Sequence, residues 1–149
     1  MSGKVFVDTN VLLRSFSQNM ELHEQAKNLL FELVDADFEM WISRQIIREF
    51  LVQCTHPRTF PEPMPMDDVQ KLLDEIQNNF HIADETATVT LQLLELLKTY
   101  PTRGKQIHDA NIVASMLVNG VDTLLTMNIT DFQRYKDRIS LIPLHSSIM

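Results

Sequence analysis

Cysteine is almost missing from this chain. Its 149 residues hold one, Cys54, with three glycines and six prolines. A lone thiol can neither close an internal disulfide nor assemble a Cys-based zinc site, and it fits a reduced, cytoplasmic setting. Glycine and proline this sparse exclude collagen-like and low-complexity chains. With only Gly3, Gly104 and Gly120, neither G-x-x-x-x-G-K-[ST] nor G-x-G-x-x-G can be written, which argues against ATP and NAD roles. No run approaches the roughly 18 to 20 uncharged apolar residues of a membrane-spanning helix. The stretch Met1 to Val7 meets Asp8 before an apolar signal segment can form, so a soluble protein is expected. Positive charge is also scarce: 13 Lys and Arg stand against 20 Asp and Glu, a formal net charge of -7. That field repels polyanions, and any nucleic-acid function has to rest on a local site.

What the chain does have is apolar material, 44% of its residues. This excludes intrinsic disorder, and the length suits one globular domain over residues 1–149. Lys4 to Asp8 reads as a short buried strand ending in Asp8-Thr9-Asn10, residue types that cap a helix. Leu22, Ala26, Leu29, Leu30 and Leu33 fall at helical spacing within Met20 to Val34, and Phe38 to Ile42 reads as a strand. Ser43 is placed to cap a helix carrying Ile46, Ile47, Phe50, Leu51 and Cys54, which has to end before Pro57. Prolines 57, 61, 63 and 65 make an extended loop. Beyond it come a helix through Val69, Leu72, Leu73, Ile76 and Phe80, a short strand at His81 to Ala83, and a helix from Thr86 to Tyr100. A further helix, Ile107 to Asn119, is closed by Gly120. A strand over Val121 to Thr126, a helical turn over Asp131 to Tyr135 and a strand over Leu141 to Leu144 complete the chain.

Strands alternating with helices give an α/β class with a mostly parallel, doubly wound sheet covered on both faces. In such sheets reactive groups gather beyond the carboxyl ends of the strands, where the winding direction reverses. Asp8 and Asn128 follow strand ends, Asp131 begins the turn after Asn128, and Glu49 and Asp109 occupy early turns of helices that return to that edge. Each has an ordinary explanation by itself: Asp8, Asn128 and Asp131 as caps or turn residues, Glu49 as a solvent-facing acid, Asp109 as a partner of the helix dipole. Together they are costly. Two like charges about 4 Å apart repel by roughly 4 kcal/mol at an effective dielectric near 20, so such acids need a cation or raised pKa values. Oxygen-only ligands favour Mg²⁺ or Mn²⁺, ions suited to phosphodiester hydrolysis.

Four segments carry a family likeness: Val7-Asp8-Thr9-Asn10-Val11-Leu12-Leu13, Arg48-Glu49-Phe50, His108-Asp109-Ala110-Asn111-Ile112-Val113-Ala114 and Thr126-Met127-Asn128-Ile129-Thr130-Asp131-Phe132. In order and spacing the chain resembles the PIN domains, above all the VapC-type ribonuclease toxins. The resemblance implies a three-layer α/β/α sandwich whose acids bind Mg²⁺ or Mn²⁺ and cut RNA, leaving a 5′-phosphate and a 3′-hydroxyl. It makes Asp8, Glu49 and Asp109 metal ligands, adds either Asn128 or Asp131, and leaves Asp109 or Asp131 to orient or deprotonate the attacking water. Thr9 and Thr126 match site-lining positions, and Asn10 the residue that supports the first acid. The family forms homodimers and is often inhibited by an antitoxin that inserts basic side chains into the acidic crevice.

Arg14, Arg44, Arg103 and Lys105 are the candidate phosphate donors near the rim, against the plain alternative of solvated surface charge. Arg48 is read as balancing local acids, His108 as packing or orienting, and Trp41 and the phenylalanines as packing. The leucine-rich faces of Met20 to Val34 and Thr86 to Tyr100 are broad enough to leave apolar surface for an interface. The alternative function is a noncatalytic PIN-like module that holds a protein partner. A phosphoryl-transfer domain using Asp8 is disfavoured, because Asn10 stands where such enzymes carry a second acid.

Overall fold

The computed structural model describes residues 3–144. Five strands form one sheet: β1 (Lys4–Val7), β2 (Glu39–Ser43), β3 (His81–Ala83), β4 (Thr123–Thr126) and β5 (Ser140–Pro143), in the order β3-β2-β1-β4-β5. Every ladder is parallel, with Phe6 opposite Trp41 on one side and Leu124 on the other. Val5, Phe6 and Val7 are fully buried, as the central strand of a sheet covered on both faces requires. The winding runs outward from β1 through β2 to β3, then crosses back to β4 and β5. Right-handed crossovers therefore put the helices of the two directions on opposite faces. The contacts agree. On one side α1 (Thr9–Phe16) packs on α2 (His23–Asp35) and α3 (Arg44–Thr55). On the other, α5 (Ala87–Thr99) packs on α6 (Gln106–Val118), and α6 on α7 (Ile129–Phe132). The remaining helix, α4 (Met66–Asn79), follows the proline loop.

Several boundaries move for local reasons. The second helix starts at His23 rather than Met20, because Leu22 adopts a left-handed φ of 66° and turns the chain there. Gly120, at φ 69°, closes α6 with bonds from its N–H to Leu117 O and from Val121 N–H to Met116 O. That closure takes Val121 out of the strand expected to include it, and β4 begins at Thr123. The turn expected from Asp131 begins at Ile129, with Asn128 as its N-cap, and passes into a 3₁₀ turn at Gln133–Tyr135. Ser43 caps α3 as expected, its Oγ accepting from Ile46 N–H.

The broad apolar faces leave residues in solvent: Phe31 and Val34 on α2, Leu91 and Leu94 on α5. Phe31, 72% exposed, is thereby corrected from the packing role expected of the phenylalanines. No helix among the described residues is long and apolar enough to cross a membrane.

Candidate metal centre

The sheet reverses its winding at β1, and the crevice opens between the carboxyl ends of β1 and β4. A cleft of about 300 Å³ lies there, lined by Asp8, Thr9, Asn10, Glu49, Val52, Gln53, Asp109, Ile112 and Asn128. Asp8 is held on both sides of the reversal. Its backbone N–H bonds Leu125 O of β4, and its carbonyl accepts from Val11 and Leu12 at the start of α1. One carboxylate oxygen accepts from Thr9 N–H at 2.8 Å, the other from the Thr126 hydroxyl at 2.7 Å. Thr126 Oγ1 in turn accepts from Asn128 N–H at 2.9 Å, so one buried hydroxyl links both strand ends. Asn10, expected to support Asp8, stands on the cleft wall, and the bonds to Asp8 come from Thr9 and Thr126 instead.

Glu49 sits in the second turn of α3. Its Oε1 accepts from the Thr9 hydroxyl at 2.8 Å and its Oε2 from Gln45 Nε2 at 3.1 Å. Asp109 lies in the first turn of α6. Burial pushes its carboxyl up to about 6, reinforced by the charges of Asp131, Asp8 and Glu49 and opposed by Arg134. Asp8, only 5% exposed, is also raised. Desolvation dominates there, the bonds from Thr126 and Thr9 act against it, and Glu49 and Asp131 add repulsion. Asp131 is exposed on α7 and lies outside the lining of the cleft, within electrostatic reach of Asp8 and Asp109. Among the described residues, no Lys or Arg forms an ion pair with any of these four acids.

The donor set suits a hard divalent cation: carboxylate oxygens, a neutral Asn128, and uncompensated negative charge. Among the described residues, no three Asp, Glu, His or Cys groups are disposed as they stand to hold one ion together. Glu49 has both oxygens engaged, one by Thr9 and one by Gln45. Mg²⁺ commonly takes one or two carboxylates and keeps several waters, so the cleft remains compatible with it.

The expected phosphate donors divide. Arg44 pairs with Asp84 at 2.9 Å, and Arg14, half-buried in the last turn of α1, donates to Asn10 O. Arg103 and Lys105 are exposed in the segment leading into α6. Arg48 balances Glu85 rather than its neighbour Glu49. His108 has an exposed side chain, and it is its carbonyl that takes part, accepting from Gln45.

Sequence reasoning missed Gln45, Asn111 and Arg134. The first could have been found from its spacing, four residues before Glu49 on one helix face. Arg134 donates to Pro101 O and Gln106 Oε1, and only the fold brings it near Asp109.

A PIN domain family model matches residues 5–137. The chain belongs to the PIN domain family. No curated protein matches it. Among solved structures, this PIN domain is similar to the Rickettsia felis VapBC2 complex bound to a promoter DNA fragment, at TM-score 0.67 and 20% identity, covering 95% of this chain and 99% of that one. A toxin–antitoxin complex from Klebsiella pneumoniae gives TM-score 0.67 and 18% identity, covering 96% and 99%. Mycobacterium tuberculosis VapC20, described as a Sarcin–Ricin loop cleaving toxin, gives 0.61 and 19%, covering 80% and 86%. At these identities the likeness is one of fold, and it agrees with the three-layer α/β arrangement above.

Proposed function

We propose that this PIN domain is a metal-dependent endoribonuclease, the toxin of a toxin–antitoxin pair. The observation that carries the reading is the meeting of Asp8, Glu49 and Asp109, from three distant parts of the chain, in one cleft at the reversal of the sheet. Asp8, Glu49 and Asp109, with Asn128 or Asp131, are the groups that would hold Mg²⁺ or Mn²⁺. When bound, such an ion supplies neutralisation of charge on the phosphoryl oxygen and a lowered pKa for water.

The chain's own residues do the rest. Thr126 and Thr9 hold the Asp8 carboxylate in one orientation, and Thr9 fixes Glu49 beside it. A carboxylate oxygen of Asp109 or Asp131 orients the attacking water or takes its proton. Arg103 and Lys105 supply the donors for the RNA backbone, Arg14 and Arg44 being engaged elsewhere.

An acidic cleft whose acids pair with no Lys or Arg among the described residues suits a basic inhibitor, and the resemblance to toxin–antitoxin complexes supports an antitoxin as that partner. The exposed faces of α2 and α5 provide apolar surface for this partner or for a homodimer. We place the protein in the cytoplasm as one domain over residues 1–149.

The test is incubation of mixed RNA with Mg²⁺, Mn²⁺ or EDTA, beside the Asp8→Asn protein. Cleavage that needs the cation, leaves 5′-phosphate ends and disappears in Asp8→Asn is the expected result. Cleavage indifferent to both EDTA and the substitution overturns the reading.

A further inference from the structure

Gln45 is 4% exposed, and its amide uses every kind of bond it can make. One nitrogen serves two acceptors, Glu49 Oε2 at 3.1 Å and His108 O at 2.9 Å, while its oxygen accepts from Asn111 Nδ2 at 2.8 Å. Only this orientation of the amide works. The opposite one would set its oxygen against a carboxylate and a carbonyl, and its NH₂ against another donor. His108 and Asn111 flank Asp109 on α6, so the same amide touches an acid on α3 and brackets an acid on α6. Among the described residues, every side-chain hydrogen bond between α3 and α6 passes through Gln45.

We propose that Gln45 is a positioning residue for the acidic cleft: by bonding Glu49 and gripping the backbone and side chain on either side of Asp109, it sets how these two acids stand to one another. The inference rests on the metal-dependent reading above and deepens it. It acts through Glu49, whose two oxygens are fixed by Thr9 from α1 and by Gln45 from its own helix. Removing the amide frees the carboxylate on one side and unties α3 from the start of α6, so the acids must be arranged anew each time an ion binds. Outer groups that orient ligands in this way typically contribute about 10- to 100-fold to metal affinity.

The variant Gln45→Met keeps the length and volume of the side chain and deletes its bonds. Asn111→Ala, at a half-buried site, removes the group that holds the Gln45 oxygen and threatens folding less. Calorimetric titration of the metal-free proteins with Mn²⁺ is run on wild type, both variants and Asp8→Asn, with the Tm of each and the Mn²⁺ dependence of RNA cleavage. Gln45→Met is expected to weaken Mn²⁺ binding about 10-fold and Asn111→Ala about 3-fold. The Mn²⁺ needed for half-maximal cleavage should rise by the same factors, with most of the rate recovered at saturating Mn²⁺. If both variants bind Mn²⁺ as wild type does while Asp8→Asn loses it, the metal-dependent reading stands and the role of Gln45 falls. A lowered Tm with unchanged Mn²⁺ affinity assigns Gln45 to helix packing alone and equally overturns the proposal. Should Gln45→Met fail to fold, Asn111→Ala decides by the same measurement. If wild type itself takes up no Mn²⁺, the reading of the cleft fails, and this inference with it.

Discussion

One helix faces two acidic regions and treats them in opposite ways. Along α3, Arg44 and Arg48 form one stripe, four residues apart, and meet Asp84 and Glu85 beyond β3 at 2.9 and 3.2 Å. One position further round, Gln45 and Glu49 form a second stripe that faces the cleft, where no Lys or Arg among the described residues pairs with Asp8, Glu49, Asp109 or Asp131. The first region is exposed and neutralised by guanidinium groups. The second has no Lys or Arg partner among the described residues, and its Asp8 and Glu49 carboxylates are held by neutral donors. Hydrogen bonds from Thr9, Thr126 and Gln45 orient the acids without cancelling their charge. Adjacent residues such as Arg48 and Glu49 thus serve different purposes, because a step of one residue on a helix turns the side chain by about 100°.

The contrast is open to attack from both stripes. The largest effect is expected from Glu49→Gln, which keeps the side chain's shape and removes its charge: cation-dependent RNA cleavage should fall by at least about 100-fold, or about 2.7 kcal/mol of barrier. Single-turnover assays across a Mn²⁺ series check this, and a change within threefold would break the distinction between the stripes. Thr126→Val deletes the hydroxyl that joins Asp8 to Asn128 N–H, leaving buried groups unpaired; a stability loss of about 2 kcal/mol in urea unfolding is expected.

The pH dependence is smaller and has a definite sign. Because folding raises the Asp109 pKa from 3.8 to about 6, the folded protein binds the proton more tightly than the unfolded chain between those values. Stability of the metal-free protein should therefore fall as pH rises from 4 to 6, Asp109 accounting for about 1 kcal/mol once solvent screening is allowed for. Asp8, also raised, adds a contribution of the same sign. Unfolding curves across that range should lose the Asp109 share in Asp109→Asn. A slope unchanged by that substitution would show that folding does not raise the Asp109 pKa. Least of all is expected from Arg48→Ala: an exposed pair contributes about 0.5 kcal/mol, and Mn²⁺ binding should match that of wild type.

Much of this arrangement was legible beforehand. The buried run at Val5 to Val7, the Ser43 cap and the Gly120 closure are local signals written within a few residues, and each appears where the pattern puts it. Alternation of strands and helices implied a parallel sheet, and the rule that sites lie at its carboxyl edge brought Asp8, Glu49 and Asp109 together on paper before they met in the cleft. Boundaries that depend on a single backbone turn were less visible. Nothing in Leu22 announces its left-handed φ, and the loss of Val121 from β4 follows from how α6 closes. The partners of the candidate phosphate donors were less visible still, since the partner of a long, flexible side chain depends on which distant residue the fold delivers. Asp84 reaches Arg44 across 40 positions, and Asn10 O captures Arg14 within its own helix.

By itself, then, the order of residues determined the class of fold, the edge at which chemistry can occur and the acids that reach it, because hydrophobic period, capping and strand ends are short-range properties. Only the tertiary structure decided which charges stay unpaired, that Thr126 rather than Asn10 steadies Asp8, and that Gln45 ties Glu49 to the flanks of Asp109. Those are pairings between groups far apart in the chain. Hydrogen bonds and desolvation act over a few ångströms, so they exist only once packing has set those distances.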